Sequence, residues 1–402
     1  MNKFSRFSRI LGTLSILTLS VGLVACGDKS LFSQDDEKHL TEKQIKHLIP
    51  PRVHDRESWA KDMNDIMDSL KIEKNKENVC SIIAIVDQES SFVANPQVPG
   101  LGREAVAAVN TRLQTKFSDK LGTTIGTPIA HYFEQVLKTQ PTPEDNYLKQ
   151  LSKVKTERDI DLLYRQIFDY MSKHYHVSAL TGAAKLVGQD IGERMNPITT
   201  LGSMQVSIQY AQDHQKDHMS VNDLRDDLYT QYGGLYYGIH RLMMYSNQYD
   251  KPIYRFADYN SGMYSSRNAS VQKALNVLTG SELSLDGDLL QYDKNDNVQA
   301  VQSNTELTFI NLFTQKKVII TPQQLRSDLK TEKTIDFEKT QTYLTLTKLY
   351  KDQTGKEMPY AVMPQVIITG PKLSRDYNTN WYATRVNGRF ESCMHRGRKM
   401  KS

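Results

Sequence analysis

The chain has little of several features that would assign it to a well-defined class of proteins. It has three cysteines in 402 residues, and it shows no internal repeat and no low-complexity tract. The formal net charge is only +5, and three basic residues within the first 25 positions leave +2 on the rest. A chain so close to neutral is not expected to bind nucleic acid.

A long hydrophobic run is also missing. The apolar stretch at residues 10–24 is too short to span a membrane and follows three basic residues, so it predicts a signal peptide over residues 1–25. The stretch ends Leu23-Val24-Ala25-Cys26, which resembles the lipobox of bacterial lipoproteins and implies a lipid anchor on Cys26. Gly27 stands where Asp would favour the inner membrane, so we expect the periplasmic face of a Gram-negative outer membrane. The alternative is an ordinary secreted protein with a chance cysteine.

Patterning divides the mature chain into three predicted parts. Residues 26–43 are polar and predict a flexible tether after the lipidated cysteine. Residues 44–285 have the apolar spacing of helices, whereas residues 286–402 predict a small α+β extension. A mature chain of about 375 residues is long enough for two or three domains. We therefore expect a mainly α fold with a C-terminal α+β extension.

The spacing of apolar residues predicts most secondary structure elements. Predicted helices cover residues 59–70, 80–92, 105–121, 128–137, 142–170, 201–210, 232–242 and 271–278, and a further helix ends at 258–262. In the extension, helices are predicted at residues 322–329 and 337–350, and a strand at 366–368. Residues 381–385 and 389–393 predict a hairpin, because Asn387-Gly388 is a typical turn.

One predicted helix places a carboxylate where its pattern requires an apolar residue. Glu89 falls on one stripe with Ile82, Ile85 and Phe92, whereas Asp87 projects toward the opposite, solvent-facing side. Burial raises the pKa of a carboxyl, and a Glu protonated near neutral pH is what a general acid needs. Alternatively, the helix ends just before Glu89 and the side chain simply reaches water.

Four segments together resemble the motif set of lytic transglycosylases of the goose-lysozyme-like fold. They are Glu89-Ser90, Gly202-Ser203-Met204-Gln205, Gly233-Gly234-Leu235-Tyr236 and Asp258-Tyr259-Asn260-Ser261-Gly262, in the order that the family has them. More specifically, the chain is similar to a family of uncharacterised proteobacterial lipoproteins with these motifs. The resemblance covers residues 78–280 and implies a lysozyme-like catalytic domain with a long helical insertion between the first two motifs.

The resemblance also implies a reaction. Such enzymes cleave the β-1,4 bond between N-acetylmuramic acid and N-acetylglucosamine in peptidoglycan and leave 1,6-anhydro-muramyl ends. Glu89 would act as the acid and then as the base, without a metal or another cofactor. Five residues would bind the substrate: Ser90, Met204, Gln205, Tyr259 and Asn260. The expected partners are glycan strands and the membrane that holds the lipid, while protein partners stay open.

Two positions depart from the family pattern. Ser203 stands where Leu is usual, and Asp258 stands where Ala is usual. Asp258 is either a solvated helix residue or a second acid/base group, which would let water attack as in a lysozyme-type hydrolase. A third alternative is a non-catalytic envelope lipoprotein that uses the fold to bind or scaffold peptidoglycan.

The two cysteines of the mature chain are expected to stay unpaired. Cys80 begins an apolar helix and has the character of a small buried hydrophobe. Cys393 lies in the predicted hairpin, close to a basic tail. The periplasm would permit a disulfide. One possible pair, however, does not form the disulfide framework that stabilises small secreted domains.

Overall fold

The computed structural model describes residues 39–174, 193, 195–215, 217–293, 297–368 and 376–399. The predicted signal peptide, Cys26 and most of the predicted tether lie outside these residues. The described part is mainly helical, as predicted, with a few strands of two residues each. None of its helices has the length and apolar character needed to cross a membrane.

The first half of the chain is a series of helices. Three come first: α1 Glu42–Leu48, α2 Arg56–Ser69 and α3 Lys76–Glu89. Four more follow: α4 Leu101–Leu121, α5 Thr123–Thr139, α6 Tyr147–Lys153 and α7 Glu157–His174. The single helix predicted at residues 142–170 is therefore two helices, α6 and α7.

The middle of the chain begins with a short antiparallel pair, β1 Thr200–Leu201 and β2 Val206–Ser207. Its helices are α8 Ile208–His214, α9 Val221–Leu228, α10 Gln231–Met243, α11 Pro252–Ser261 and α12 Ser265–Thr279. The prediction of a helix from residue 201 is wrong, because residues 202–205 form the turn of this hairpin. The helix starts only at Ile208.

The last part contains α13 Asn304–Gln315, α14 Pro322–Leu329, a 3₁₀ helix at Ile335–Lys339 and α15 Gln341–Thr354. A second antiparallel pair follows, β3 Ile367–Ile368 and β4 Tyr377–Asn378, and the final helix is α16 Thr379–Arg398. The strand predicted at residues 366–368 is confirmed as β3. The hairpin predicted at residues 381–393 is wrong.

The reason for that error is visible in the burial of α16. Tyr382, Val386 and Phe390 are all buried and follow one another at intervals of four residues, which is the spacing of one helix face. Asn378 caps the first turn, since its side chain accepts a hydrogen bond from the backbone N–H of Trp381. This apolar face outweighs the local turn preference of Asn387-Gly388.

The apolar residues form three clusters among the described residues. The first surrounds α3, whose residues 79–87 are all buried, and it includes side chains of α1, α2, α10, α11 and α16. The second is built from α4 to α7, so the predicted helical insertion has an apolar core of its own. The third joins α12 to α13, α14 and α15. A helix that is buried on every side, as α3 is over residues 79–87, lies at the centre of a core.

A disulfide joins Cys80 of α3 to Cys393 of α16, with their Cα atoms 5.5 Å apart. The expectation that both cysteines stay unpaired is wrong, because it depended on the hairpin that α16 replaces. Cys80 lies near the start of α3 and Cys393 near the end of α16. At the other end of α3, Glu89 contacts Tyr382 near the start of α16, so the two helices pack antiparallel.

Candidate active site

Glu89 is the last residue of α3, and its side chain is half-buried. The hydroxyl of Tyr382 donates a hydrogen bond to its Oε1. Burial raises the pKa of Tyr382 well above its usual value, and the nearby charge of Glu89 raises it further. The phenol therefore stays neutral and acts as a hydrogen-bond donor. Glu89 ends its helix, as the alternative interpretation required, yet its carboxylate is held by a buried partner.

The backbone turns sharply directly after Glu89. Ser91 and Phe92 have positive φ angles of 51° and 64°, a conformation that is rare for residues with side chains. Phe92 is buried with its ring edge-on to Trp59, at 5.3 Å between ring centroids. The hydroxyl of Ser90 donates to the carbonyl of Val86 at 3.1 Å, so Ser90 also closes the end of α3. The turn leaves Glu89 at the end of a buried helix.

The turn between β1 and β2 packs directly on the glycine-rich helix α10. A Cβ atom added to Gly238 would lie only 2.3 Å from Sδ of Met204, and one added to Gly234 only 2.9 Å from the backbone N of Ser203. Gly202 itself has a φ of 77°. The small residues of α10 thus let the backbone of this turn approach the helix closely. Met204 is fully buried in this contact, which is contrary to its expected role in substrate binding.

Gln205 is half-buried and has a positive φ of 52°. Its amide group donates to Oε2 of Glu157 at 3.2 Å and accepts a hydrogen bond from the hydroxyl of Thr200 at 3.0 Å. Glu157 belongs to α7, so this contact connects the motif to the helical insertion. An amide held at both ends keeps a fixed orientation.

Tyr259 of α11 is buried and joins two of the motif segments. Its hydroxyl donates to the carbonyl of Met204 at 2.7 Å. Arg241 of α10 donates to the carbonyl of Tyr259 at 2.8 Å and places its guanidinium 4.6 Å from the ring centroid. Burial raises the pKa of Tyr259, while Arg241 lowers it and Glu89 raises it. The ring is 6% exposed and leaves little surface for a sugar, which is contrary to the expected role of Tyr259 in substrate binding.

Asn260, the next residue, is half-buried and accepts a long hydrogen bond of 3.4 Å from the hydroxyl of Thr379. Thr379 is the first residue of α16, and its backbone N–H donates to the carbonyl of Val366 at 3.0 Å. The first turn of α16 therefore touches the motif of α11 through Thr379 and the motif of α3 through Tyr382.

Asp258 is 1% exposed, so the expectation of a solvated helix residue is wrong. Its carboxylate accepts hydrogen bonds from five donors: the hydroxyls of Tyr245, Tyr249 and Ser265 and the backbone N–H groups of Tyr264 and Ser266. Burial raises the pKa of Asp258, while hydrogen bonds from Tyr249, Ser265 and Ser266 oppose that effect. These contacts anchor the start of α12 to α11 and leave no open side for a water molecule.

Asp87 also differs from its expected solvent-facing position. It is 5% exposed and forms ion pairs with Arg52, and with Nε of Arg389 at 3.4 Å. A buried carboxylate between two guanidinium groups fixes α16 and the segment before α2 to α3. Replacing Asp87 would therefore disturb the position of α16, the helix that carries Tyr382.

The structure thus connects the motif segments in a chain of contacts. The charge of Glu89 acts on Tyr259, the hydroxyl of Tyr259 holds the turn at residues 202–205, and that turn packs on the glycines of α10. Sequence reasoning missed two residues here: Tyr382, which contacts Glu89, and Arg241, which covers Tyr259. The helical spacing of Tyr382, Val386 and Phe390 was the signal for the first. In the described part of the chain, no cluster of His, Cys, Asp or Glu side chains is suited to hold a metal ion.

Comparisons with known proteins extend over nearly the whole chain. Residues 52–396 match a family model described as "Protein of unknown function (DUF1615)". The chain is 32% identical over 387 residues to the "Uncharacterized protein YaiW" of Escherichia coli (strain K12), covering 95% of this chain and 98% of that protein. No solved structure matches. The matches agree with the prediction of an uncharacterised proteobacterial family.

Proposed function

We propose that this chain, which belongs to the DUF1615 family of proteins of unknown function, is a peptidoglycan lytic transglycosylase with a lysozyme-like fold. The observation that carries the proposal is the position of Glu89. A single half-exposed carboxylate ends a buried helix, accepts a hydrogen bond from a neutral phenol, and lies close enough to Tyr259 in the motif segment of α11 for its charge to raise the pKa of Tyr259.

The proposed reaction needs only this one carboxylate. Protonated Glu89 donates its proton to the glycosidic oxygen as the bond from that oxygen to C1 of N-acetylmuramic acid breaks. The resulting carboxylate then takes the proton of the sugar's 6-hydroxyl, whose oxygen bonds to C1 and closes the anhydro ring. Glu89 ends protonated, so the cycle balances. The C-terminal end of a helix disfavours negative charge, which favours the acid form that starts the cycle.

One further observation supports this proposal over the hydrolase alternative, and a second supports a functional site in these segments. Water attack in an inverting glycosidase needs a second carboxylate about 6.5–9.5 Å from the first. Asp258, the candidate from sequence, is buried among five donors and holds α12 in place. In addition, residues with positive φ angles stand in the motif segments at Ser91, Phe92 and Gln205. Such conformations cost free energy and tend to cluster at functional sites.

We also propose that the protein is lipid-anchored through Cys26 on the periplasmic face of the outer membrane. The Cys80–Cys393 disulfide supports an oxidising compartment, because disulfides rarely persist in the cytosol. A Cys26→Ala variant is expected to lose the lipid and to leave the outer-membrane fraction. An unchanged distribution of this variant would end the lipoprotein proposal.

The test of the reaction is digestion of purified sacculi with the Glu89→Gln variant and with the unaltered protein. Glutamine keeps the shape and can still accept from Tyr382, but it cannot donate and recover a proton. Cleavage is expected to fall about 10²–10⁴-fold, the usual contribution of acid–base catalysis. The matched control is Glu77→Gln, an exposed glutamate in the first turn of the same helix, which should cleave normally.

Mass spectrometry of the sugar ends decides the reaction type. Anhydro-muramyl ends are expected, and reducing ends would replace the transglycosylase with a hydrolase. A fully active Glu89→Gln variant would remove the catalytic role of this residue. If the unaltered protein binds sacculi without cleaving them, the alternative of a non-catalytic peptidoglycan-binding lipoprotein replaces the proposed enzyme.

A further inference from the structure

A basic pocket lies beside the seam between α3 and α16, with a volume of about 560 Å³. Four arginines line it, and we call it the arginine pocket: Arg52, from the segment before α2, and Arg385, Arg389 and Arg396 from one face of α16. Among the described lining residues the only carboxylate is that of Asp87. The lining therefore has a formal excess of three positive charges.

The internal contacts do not neutralise this excess. Asp87 is shared by Arg52 and Arg389, so one negative charge serves two guanidinium groups. Arg396 donates through Nε to the carbonyl of Leu48 at 2.8 Å, and a carbonyl carries no net charge. Arg385 lies 5.1 Å from the ring centroid of Trp381, and no acidic side chain among the described residues forms an ion pair with it.

The electrostatic environment of the pocket is unfavourable for its own charges. Burial lowers the pKa of Arg389, and the neighbouring Arg385 and Arg52 lower it further, while the charges of Asp87 and Glu89 oppose them. Burial likewise lowers the pKa of Arg396, with Arg52 adding to the effect and Asp87 opposing it. Guanidinium groups remain charged under such shifts. A bound anion would offset the repulsion among them.

A glycine keeps the α16 side of the pocket open. Gly388 lies in the middle of the 20-residue helix α16, where glycine is less favourable than alanine. A Cβ atom at this position would meet nothing within 4 Å, so packing does not require the glycine. The missing side chain leaves space between Arg385 and Arg389 that a ligand can occupy.

The pocket shares both of its helices with Glu89. Arg389, which lines the pocket, lies close enough to Glu89 for the charge of that carboxylate to raise the pKa of Arg389. A ligand that contacts both Glu89 and the arginine pocket needs an anionic group on a branch close to the bond that is cut. The stem peptide, which branches from N-acetylmuramic acid and carries several carboxylates, has this form. Guanidinium groups match carboxylates with two parallel hydrogen bonds.

We infer that the arginine pocket binds a carboxylate of the stem peptide next to the cleaved glycosidic bond. This inference rests on the proposed function, because it takes the glycan strand as the ligand. It implies that strands carrying peptides are preferred over strands from which an amidase has removed the peptides.

The experiment measures binding by titration calorimetry in the Glu89→Gln background, so that nothing is cut. The probes are a soluble disaccharide–tetrapeptide with free carboxylates and the same compound with its carboxylates amidated. The free form is expected to bind at least tenfold more tightly than the amidated form, the loss expected when a charge-assisted hydrogen bond is removed. Arg385→Gln should weaken binding of the free form about tenfold and leave the amidated form unchanged.

Arg398→Gln is the matched control, because Arg398 is exposed on the same helix and does not line the pocket. Gly388→Leu is a second variant that fills the space without changing the charge, and it should weaken binding of the free form as well. Equal binding of both probes, or no effect of either pocket variant, would overturn the inference. That result leaves the proposed function standing if Glu89→Gln has lost cleavage.

Vesicles of phosphatidylethanolamine with and without phosphatidylglycerol form a third arm. If the protein binds only the anionic vesicles, and Arg385→Gln abolishes this binding, the ligand of the pocket is a lipid phosphate and the peptide assignment is overturned.

The kinetics of the cleaving protein provide an independent measurement. Arg385→Gln should raise KM about tenfold for peptide-bearing strands and leave KM unchanged for strands stripped of peptide.

Discussion

Among single residues, the contact between Tyr382 and Glu89 has the most direct consequence for the proposed reaction. Replacing Tyr382 by Phe keeps the buried ring and removes the donor. A hydrogen bond to a charged group contributes about 1.5–3 kcal/mol, so cleavage should fall about 10- to 100-fold. The matched control is Tyr350→Phe in the third core, which should leave cleavage unchanged.

The pH profile separates positioning from mere structural support. Tyr382 donates to the charged form of Glu89, so its loss favours the protonated form. The profile of cleavage by Tyr382→Phe should therefore move to higher pH. A variant that loses activity with an unmoved profile would make Tyr382 a packing residue only.

Glu332 carries a second residue-level prediction, on stability. Its side chain is fully buried, and burial raises its pKa from 4.5 to about 7, although donors such as Tyr292 and the backbone of Leu289 oppose the shift. Between pH 4.5 and 7 the unfolded chain gives up this proton before the folded chain does. The contribution of Glu332 to the free energy of unfolding is therefore fully present below pH 4.5 and is lost as the pH rises through 7. The free energy of unfolding falls by at most about 3 kcal/mol over this range.

Urea unfolding at pH 5 and pH 8 measures this effect. The unaltered protein should be less stable at pH 8, and Glu332→Gln should show a smaller difference between the two pH values. Glu357→Gln, at an exposed position, should behave like the unaltered protein. If Glu332→Gln keeps the full difference in stability between pH 5 and pH 8, the difference arises from another ionisable group.

Among the secondary structure elements, the glycines of α10 and α16 predict opposite responses to the same substitution. Gly238→Ala would press a methyl group against Met204, 2.3 Å from its Sδ, and should destabilise the protein by about 1–3 kcal/mol. Gly388→Ala meets nothing within 4 Å and should stabilise by about 0.5–1 kcal/mol. Urea unfolding of both variants checks the pair, and shifts of the same sign would contradict it.

Most helices were predictable because their apolar spacing is local. Residues 322–329 were predicted as a helix and form α14 with the same bounds, and residues 232–242 form the centre of α10. The failure at α16 has a physical reason. Asn387-Gly388 is a strong local turn signal, whereas the stability of α16 comes from its contact with α3, almost 300 residues earlier, which no local pattern contains.

The candidate site was predictable to a similar extent. Glu89 was found because its charge interrupts an apolar pattern. The environment of Asp258 was not, because its five donors come from two separate stretches, residues 245–249 and 264–266. Burial of a polar residue depends on such distant partners, and the sequence around it shows only the carboxylate.

For the molecule as a whole, the Cys80–Cys393 bond closes a loop of 313 residues. Removing a native disulfide typically costs about 2–5 kcal/mol of unfolding free energy. Reduction should lower the urea midpoint and also lower cleavage, because α16 carries Tyr382. The double variant Cys80→Ala/Cys393→Ala should show the same loss and no further response to reductant. Free thiols in the unreduced, alkylated protein would contradict the bond.

The same pairing of α3 with α16 sets the order in which the protein can be completed during synthesis. Tyr382 follows Glu89 by 293 residues, so at about 5–20 residues per second the ribosome needs roughly 15–60 s to supply it. Until then the apolar surface of α3 that α16 covers has no partner, and the carboxylate lacks its donor. A nascent chain or a C-terminally truncated product therefore carries the four motifs without the assembled site, and the last helix to emerge is the one that completes it.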